Sequence, residues 1–259
     1  MTPRQTGRPD EQPAQQRPAV EVAGVSHSFD GLDVLGDVSF TLPGGTVACV
    51  VGPNGSGKTT LLRLVAGLLE PNVGAVSVAG DAGRRVGYLA QQPAFRRQFT
   101  VAETVAFYGS LVGESTDVDA VLDRVGLSAV ADRRVDALSG GMRRLLGLAQ
   151  AMVGDPSVFV LDEPATGLDP TMARHLRAVI DDLAADGDAV LLSTHDLHTV
   201  DRIADRVLLV DHGELVAAGP PAELLAESGA TTLDDAIETL GHGGGTVGVS
   251  PGLRGGDRT

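Results

Sequence analysis

The feature that most constrains this chain is a break between two regular elements. An apolar run, Val47 to Val51, gives way to Gly52-Pro53-Asn54-Gly55-Ser56-Gly57-Lys58-Thr59, and the chain then enters a segment with one apolar helical face at 61, 62, 65, 68 and 69. The loop fits the pattern G-x-x-x-x-G-K-[ST] and lies after a strand and before a helix, the context that gives the pattern meaning. Glycines let the backbone curl until several N–H groups point into one concavity. The helix start behind them adds about half a positive charge. Lys58 offers a mobile ammonium, and the Thr59 hydroxyl is a hard oxygen suited to Mg²⁺. Such a loop holds the phosphates of a nucleoside triphosphate but does not say what the triphosphate is used for.

The rest of the chain reads as strands alternating with helices. Val38, Phe40 and Leu42 alternate with polar neighbours, as on a half-buried strand. Val158 to Leu161, Val190 to Leu192 and Val207 to Val210 are short apolar strands, and Met172, Leu176, Val179, Ile180 and Leu183 mark a helix between the first two. Pro71 and Gly74 are read as ending the helix after the loop, and Asp211-His212-Gly213 as a turn. Apolar residues make up 42 % of the chain and aromatics only 3 %, so the core is aliphatic, as a buried parallel sheet requires. This alternation predicts an α/β fold with a mainly parallel sheet and helices on its faces. Residues 93–150 pattern as helix only (Val101 to Leu111, Val118 to Val125, Met142 to Val153), which predicts a helical subdomain inserted between two halves of the sheet. Residues 1–18, rich in Pro and Gln, and 241–259, rich in Gly, read as disordered tails around a domain spanning 19–240.

Composition excludes some partners. The net charge is −14 and both tails are slightly basic, so the body is strongly acidic and repels a polyanion; no nucleic-acid partner is expected. The single cysteine, Cys49, lies in an apolar strand and reads as a buried side chain in a reducing compartment. No signal peptide and no transmembrane stretch is visible. Association with a membrane would have to run through a partner.

Four further motifs follow the loop in order: Gly87-Tyr88-Leu89-Ala90-Gln91; Leu138-Ser139-Gly140-Gly141-Met142-Arg143-Arg144; the strand ending in Asp162-Glu163 with Gly167-Leu168-Asp169 after it; and Ser193-Thr194-His195-Asp196. The ordered set resembles the ATP-binding subunits of ABC transporters over about residues 20–225. Within them it is closest to the stand-alone ATPases of drug- or antibiotic-type export systems, which the Gly-Gly-Met-Arg-Arg run and the acidic segment Thr232 to Ile237 resemble. The resemblance implies a P-loop NTPase core with an antiparallel β portion at the N-terminus and the inserted helical subdomain.

It also implies roles. Gly52, Pro53, Asn54, Gly55, Ser56, Gly57, Lys58, Thr59 and Thr60 would bind ATP, with Phe29 as the adenine platform; a core Phe is the bland alternative. Thr59, Gln91 and Asp162 would hold Mg²⁺. Glu163 would act as the general base, with His195 and Gln91 completing the catalytic set; Gln92 is the rival to Gln91. Ser139, Gly140 and Gly141 would bind the nucleotide of a second subunit in trans, with Asp169 coupling the two sites. Met142 stands where the commonest family form has Gln, which puts a contact specific to that side chain in doubt. Partners would be integral membrane permease subunits and a second ATPase subunit, a homodimer mate or close paralogue, at the cytoplasmic face of the cell membrane. The resemblance points to export. The alternative reading is a soluble ABC-type ATPase acting on a non-membrane partner.

Overall fold

A computed structural model describes residues 18–80, 84–112 and 116–242. Most of both expected tails, 1–17 and 243–259, lies outside the described residues. The elements in chain order are β1 (Val20–Phe29), β2 (Leu32–Leu42), β3 (Val47–Val51), α1 (Lys58–Val65), β4 (Val73–Val78), β5 (Val86–Leu89), α2 (Val101–Val112), α3 (Val118–Arg124), α4 (Gly140–Met152), β6 (Val158–Asp162), α5 (Pro170–Ala185), β7 (Ala189–Ser193), α6 (Leu197–Ile203), β8 (Arg206–Asp211), β9 (Glu214–Gly219), α7 (Pro221–Ser228) and α8 (Leu233–His242). Two single 3₁₀ turns, Ser128–Val130 and Val135–Ala137, lead into α4.

Six strands form one sheet in the order β5-β6-β7-β3-β8-β9, parallel except for the β8–β9 hairpin. The hairpin turns at the expected Asp211-His212-Gly213. Strands β3, β6 and β7 are buried at every residue, which is why their sequences are continuous apolar runs rather than alternations, up to the polar residues Asp162 and Ser193 that close β6 and β7. Their side chains divide by parity between two cores. Val47, Cys49 and Val51 pack toward α4, α5 and the helical insertion; Ala48 and Val50 pack toward α1. A separate antiparallel sheet, β2-β1-β4, closes the α1 side, so α1 is sandwiched between the two sheets. Cys49 is completely buried.

The insertion is helical as expected. Within it the segment before α2 is tied to the segment before α4 by a bridge, Thr100 to Arg134, and by backbone hydrogen bonds such as Val101 N–H to Arg133 O at 3.0 Å and Val135 N–H to Phe99 O at 2.9 Å. Helix α4 starts at Gly140, two residues before the apolar pattern suggests, because Ser139 caps it. Its far end is held by Arg84, which donates to the carbonyls of Gln150 and Val153 at 2.9 Å each, a cation against the negative end of the helix. One boundary differs more. The helix α1 ends at Val65 rather than running to Leu69, because Gly67 turns left-handed and its N–H already closes back on Leu64. Leu68, counted on the apolar face, is in fact exposed.

Candidate functional site

The C-terminal ends of β3, β6 and β7 meet at one edge of the sheet. There a cleft of about 320 Å³ is lined by Asn54, Gly55, Gly57, Lys58, Thr59, Thr60, Gln91, Asp162 and Glu163, together with Val34 and Ser193. Nine residues singled out from the sequence therefore line one cavity.

The loop owes its shape to close packing. Gly52 has φ 143°, and a Cβ there would lie 2.0 Å from the Val210 carbonyl, so no side chain fits. The β8–β9 turn props the loop from beneath through the Gly213 N–H, which donates to the Ser56 carbonyl at 3.1 Å. Lys58 is buried, and its ammonium donates to the Gly52 and Pro53 carbonyls at 2.8 Å each. Burial pulls its pKa down, against the opposing pull of Glu163 and Asp162. The Ser56 hydroxyl is buried inside the loop with no hydrogen-bond partner among the described residues.

The carboxylates stand at the tip of β6. One oxygen of Asp162 accepts from the Ser193 hydroxyl at 2.7 Å and from the Thr59 hydroxyl at 3.3 Å. Its other oxygen, Oδ2, is buried and unpartnered. Glu163 adopts the left-handed backbone region, φ 50°, unusual for a residue with a side chain. Its N–H donates to Ser193 Oγ at 2.9 Å, which helps hold the strained residue in place. Glu163 Oε2 accepts from the Thr166 hydroxyl at 3.0 Å and lies 2.8 Å from His195 Nδ1. An ionised carboxylate only accepts, so in that state Nδ1 carries the proton.

The other predicted residues fall outside the cleft. Phe29, at the end of β1, is 43 % exposed, with its ring edge-to-face with His27 at 4.6 Å. An exposed aromatic face there suits a stacking platform better than a core role. Ser139 and Gly140 are exposed at the start of α4, and the Ser139 hydroxyl accepts from the Met142 N–H at 3.1 Å. Gly141 is buried against Met172. Asp169 is exposed and caps α5, accepting from the N–H groups of Thr171 and Met172.

Sequence reasoning gave no role to three polar contributors. Ser193 is the register partner of Asp162 across β6–β7, so a hydroxyl closing an apolar strand at the level of a carboxylate was the available signal. Thr166 and Arg144 reach the site through contacts that no spacing rule predicts.

The family profile described as ABC transporter matches residues 35–166. Among curated proteins, the Nod factor export ATP-binding protein I of Rhizobium johnstonii is 38 % identical over 223 residues, covering 81 % of this chain and 71 % of that protein. The protein of the same name from Burkholderia lata is 37 % identical over 220 residues, covering 80 % and 72 %. A solved ATP-binding subunit of an ABC transporter superposes with a TM-score of 0.78 at 26 % identity, over 86 % of this chain and 99 % of that one. The cbiO1 protein of Clostridium perfringens, part of a cbiONQ transporter complex, does so with 0.71 at 26 % identity, over 81 % and 91 %. Phosphate loop, acidic strand tip and helical insertion thus sit in a fold and a sequence shared with these proteins, and the chain belongs to the ABC transporter family as an ATP-binding, ATP-hydrolysing subunit.

Proposed function

We propose that this chain hydrolyses MgATP as one half of a head-to-tail pair of ATPase subunits, and that the pair drives export through separate membrane permease subunits from the cytoplasmic face of the membrane. Residues 19–240 form the working domain, with 93–150 inserted as its helical lobe. The observation that carries the reading is the cluster at the sheet edge: a strained Glu163, oriented by His195, Thr166 and Ser193, beside a phosphate loop and an Asp162 oxygen with no partner.

Adenine stacks on Phe29, and residues 52–60 cradle the phosphates. The unpartnered Asp162 Oδ2, the Thr59 hydroxyl and the Gln91 amide fit a hard cation of the Mg²⁺ type. Mg²⁺ takes one or two carboxylates plus phosphate oxygens, and needs no dense acidic cluster. When bound it neutralises charge developing on the phosphates. Both hydrogen bonds to Glu163 fall on Oε2, which leaves Oε1 to accept a proton from the attacking water. The water oxygen bonds to the γ-phosphorus, the bond to the β,γ-bridging oxygen breaks, and ADP leaves with that electron pair.

The trans half of the reading rests on Ser139, Gly140 and Gly141. They start a helix whose N-terminus, exposed at Ser139 and Gly140 and outside the chain's own cleft, offers backbone donors and a helix dipole to an anion brought by a partner. A partner's γ-phosphate fits there, and Asp169 lies near the proposed contact through α5, on which Gly141 packs. Swinging such a pair from mostly open to mostly closed needs about 5.5 kcal/mol of differential binding, which two shared phosphates can supply.

No helix among the described residues is long and apolar enough to cross a membrane. A groove on the insertion, lined by Phe95, Arg96, Phe99, Phe107 and Tyr108, supports permease docking along Pro93 to Val105. It gathers four of the chain's eight Phe and Tyr residues, in a protein where aromatics are only 3 % of the sequence. The word export in the names of the relatives supports the direction of transport.

Glu163→Gln is the test. ATP turnover should fall about 100-fold or more, while ATP still produces a dimer in size-exclusion chromatography. Wild-type turnover in this variant would refute the base assignment. Co-purification of the chain with a soluble protein in place of a multispan one would favour a non-membrane partner.

A further inference from the structure

Arg144 is a buried cation without a carboxylate of its own. It sits in the second turn of α4, 7 % exposed, and takes part in no ion pair among the described residues. Both of its Nη atoms bond main-chain carbonyls from two other parts of the chain. Nη1 donates to Ala90 O at 3.3 Å and to Gln91 O, and Nη2 donates to Thr166 O at 3.3 Å. Burial lowers its pKa, and the negative charges of Asp162 and Glu163 oppose that effect.

A Leu or Met would fill the same volume with no charge to desolvate, and the neighbouring Leu145 and Leu146 show that apolar residues are used on this helix. A charge at Arg144 therefore needs a reason beyond packing. The bonds supply one. Thr166, held by its carbonyl, is the residue whose hydroxyl donates to Glu163 Oε2 at 3.0 Å. Gln91, held by its carbonyl, lines the cleft. Five residues before Arg144, Ser139 caps the same helix. One guanidinium thus joins the start of α4, the backbone of Gln91 and the orienting partner of Glu163.

We propose that Arg144 is a positioning residue that sets Glu163 and Gln91 for hydrolysis according to how α4 is seated. This rests on the reading of Glu163 as the general base. A subunit that docks on the exposed start of α4 shifts a helix already bonded to both, so the docked state and the working carboxylate are reached together.

The experiment compares Arg144→Met, Arg144→Lys and Thr166→Val in the full chain by steady-state ATPase kinetics and thermal melting. Arg144→Met should lower kcat about tenfold or more with KM for ATP changed less than about threefold, the pattern of a lost transition-state interaction. Arg144→Lys, which keeps a charged donor, should recover a large part of kcat. Adding Thr166→Val to Arg144→Met should cost much less than it does alone, because both residues act through one path, whereas on Arg144→Lys it should cost nearly its full amount. The proposal is overturned if Arg144→Met keeps kcat within about twofold, if the loss falls on KM alone, or if the Thr166 and Arg144 losses multiply independently. Should Arg144→Met fail to fold, Arg144→Gln, which also removes the charge, takes its place in the kinetics and in the cycle with Thr166→Val, judged by the same criteria. Glu163→Gln separates the two readings. Retained turnover there removes the base assignment, whereas an inactive Glu163→Gln beside an unaffected Arg144→Met removes only the role given to Arg144.

Discussion

The two glycine-rich helix starts of this chain use the same donors in opposite settings. At Lys58, the start of α1 lies at the floor of a cleft, with carboxylates, Gln91, Ser193 and Val34 as walls and the β8–β9 turn beneath. Its N-cap, Gly57, offers no side-chain cap to the helix. At Gly140, the start of α4 stands exposed, and its own Ser139 hydroxyl satisfies the Met142 N–H. Backbone donors and a helix dipole are present in both places, so they do not by themselves make a binding site. Walls, a buried ammonium and a rigid floor complete the first. The second has to borrow them, which is what the proposed head-to-tail pair provides.

Substituting the glycines tests that contrast most severely. Gly52→Ala drives a Cβ into the Val210 carbonyl at a φ that side chains avoid, and should cost about 3 kcal/mol or more, read as a lowered Tm. Gly140→Ala meets open space and should leave Tm essentially unchanged or slightly raised. Equal losses at both positions would break the comparison. The polar side chains test it next. Lys58→Ala should weaken ATP binding to the isolated subunit about 100-fold, by nucleotide titration, since it removes the charge-assisted bonds of a buried ammonium. Ser139→Ala should leave that affinity within about twofold, yet abolish ATP-dependent pairing in a Glu163→Gln background. A third helix start gives the smallest effect. Asp196 caps α6, and its hydrogen bonds, first with Thr199 and also with His198, hold its carboxyl below the ordinary value of 3.8 despite some burial. A depressed folded pKa stabilises above the unfolded value and is lost as pH falls through the folded one. Melting temperature followed from about pH 5 downward should therefore fall less steeply for Asp196→Asn than for the parent.

Much of this was legible before any coordinates. Strands β3, β6, β7 and β8 announce themselves because a parallel sheet buries both faces, and burial writes a continuous apolar run. The helices of the insertion show the other period. The loop and Asp162-Glu163 were legible because their chemistry needs fixed residue types at strand ends. The antiparallel sheet was less so: β1 pairs with β2 through three register irregularities, which blur the alternation, and it entered through family resemblance instead. The end of α1 was misplaced because Leu68 and Leu69 continue the helical period past the point where the backbone turns. Arg144 and Thr166 act across 22 residues of sequence and through main-chain carbonyls, which carry no side-chain signature to read. Ser193 was in view, and was overshadowed by the histidine two residues on.

The single thiol has a practical consequence. Cys49 lies wholly within β3, and burial, aided by the charge of Asp205, pushes its pKa far above the usual thiol range. It will not take up a maleimide in the folded state. A reporter cysteine placed at exposed Leu111 would then be the sole attachment point for a fluorophore or spin label, with no background to engineer away.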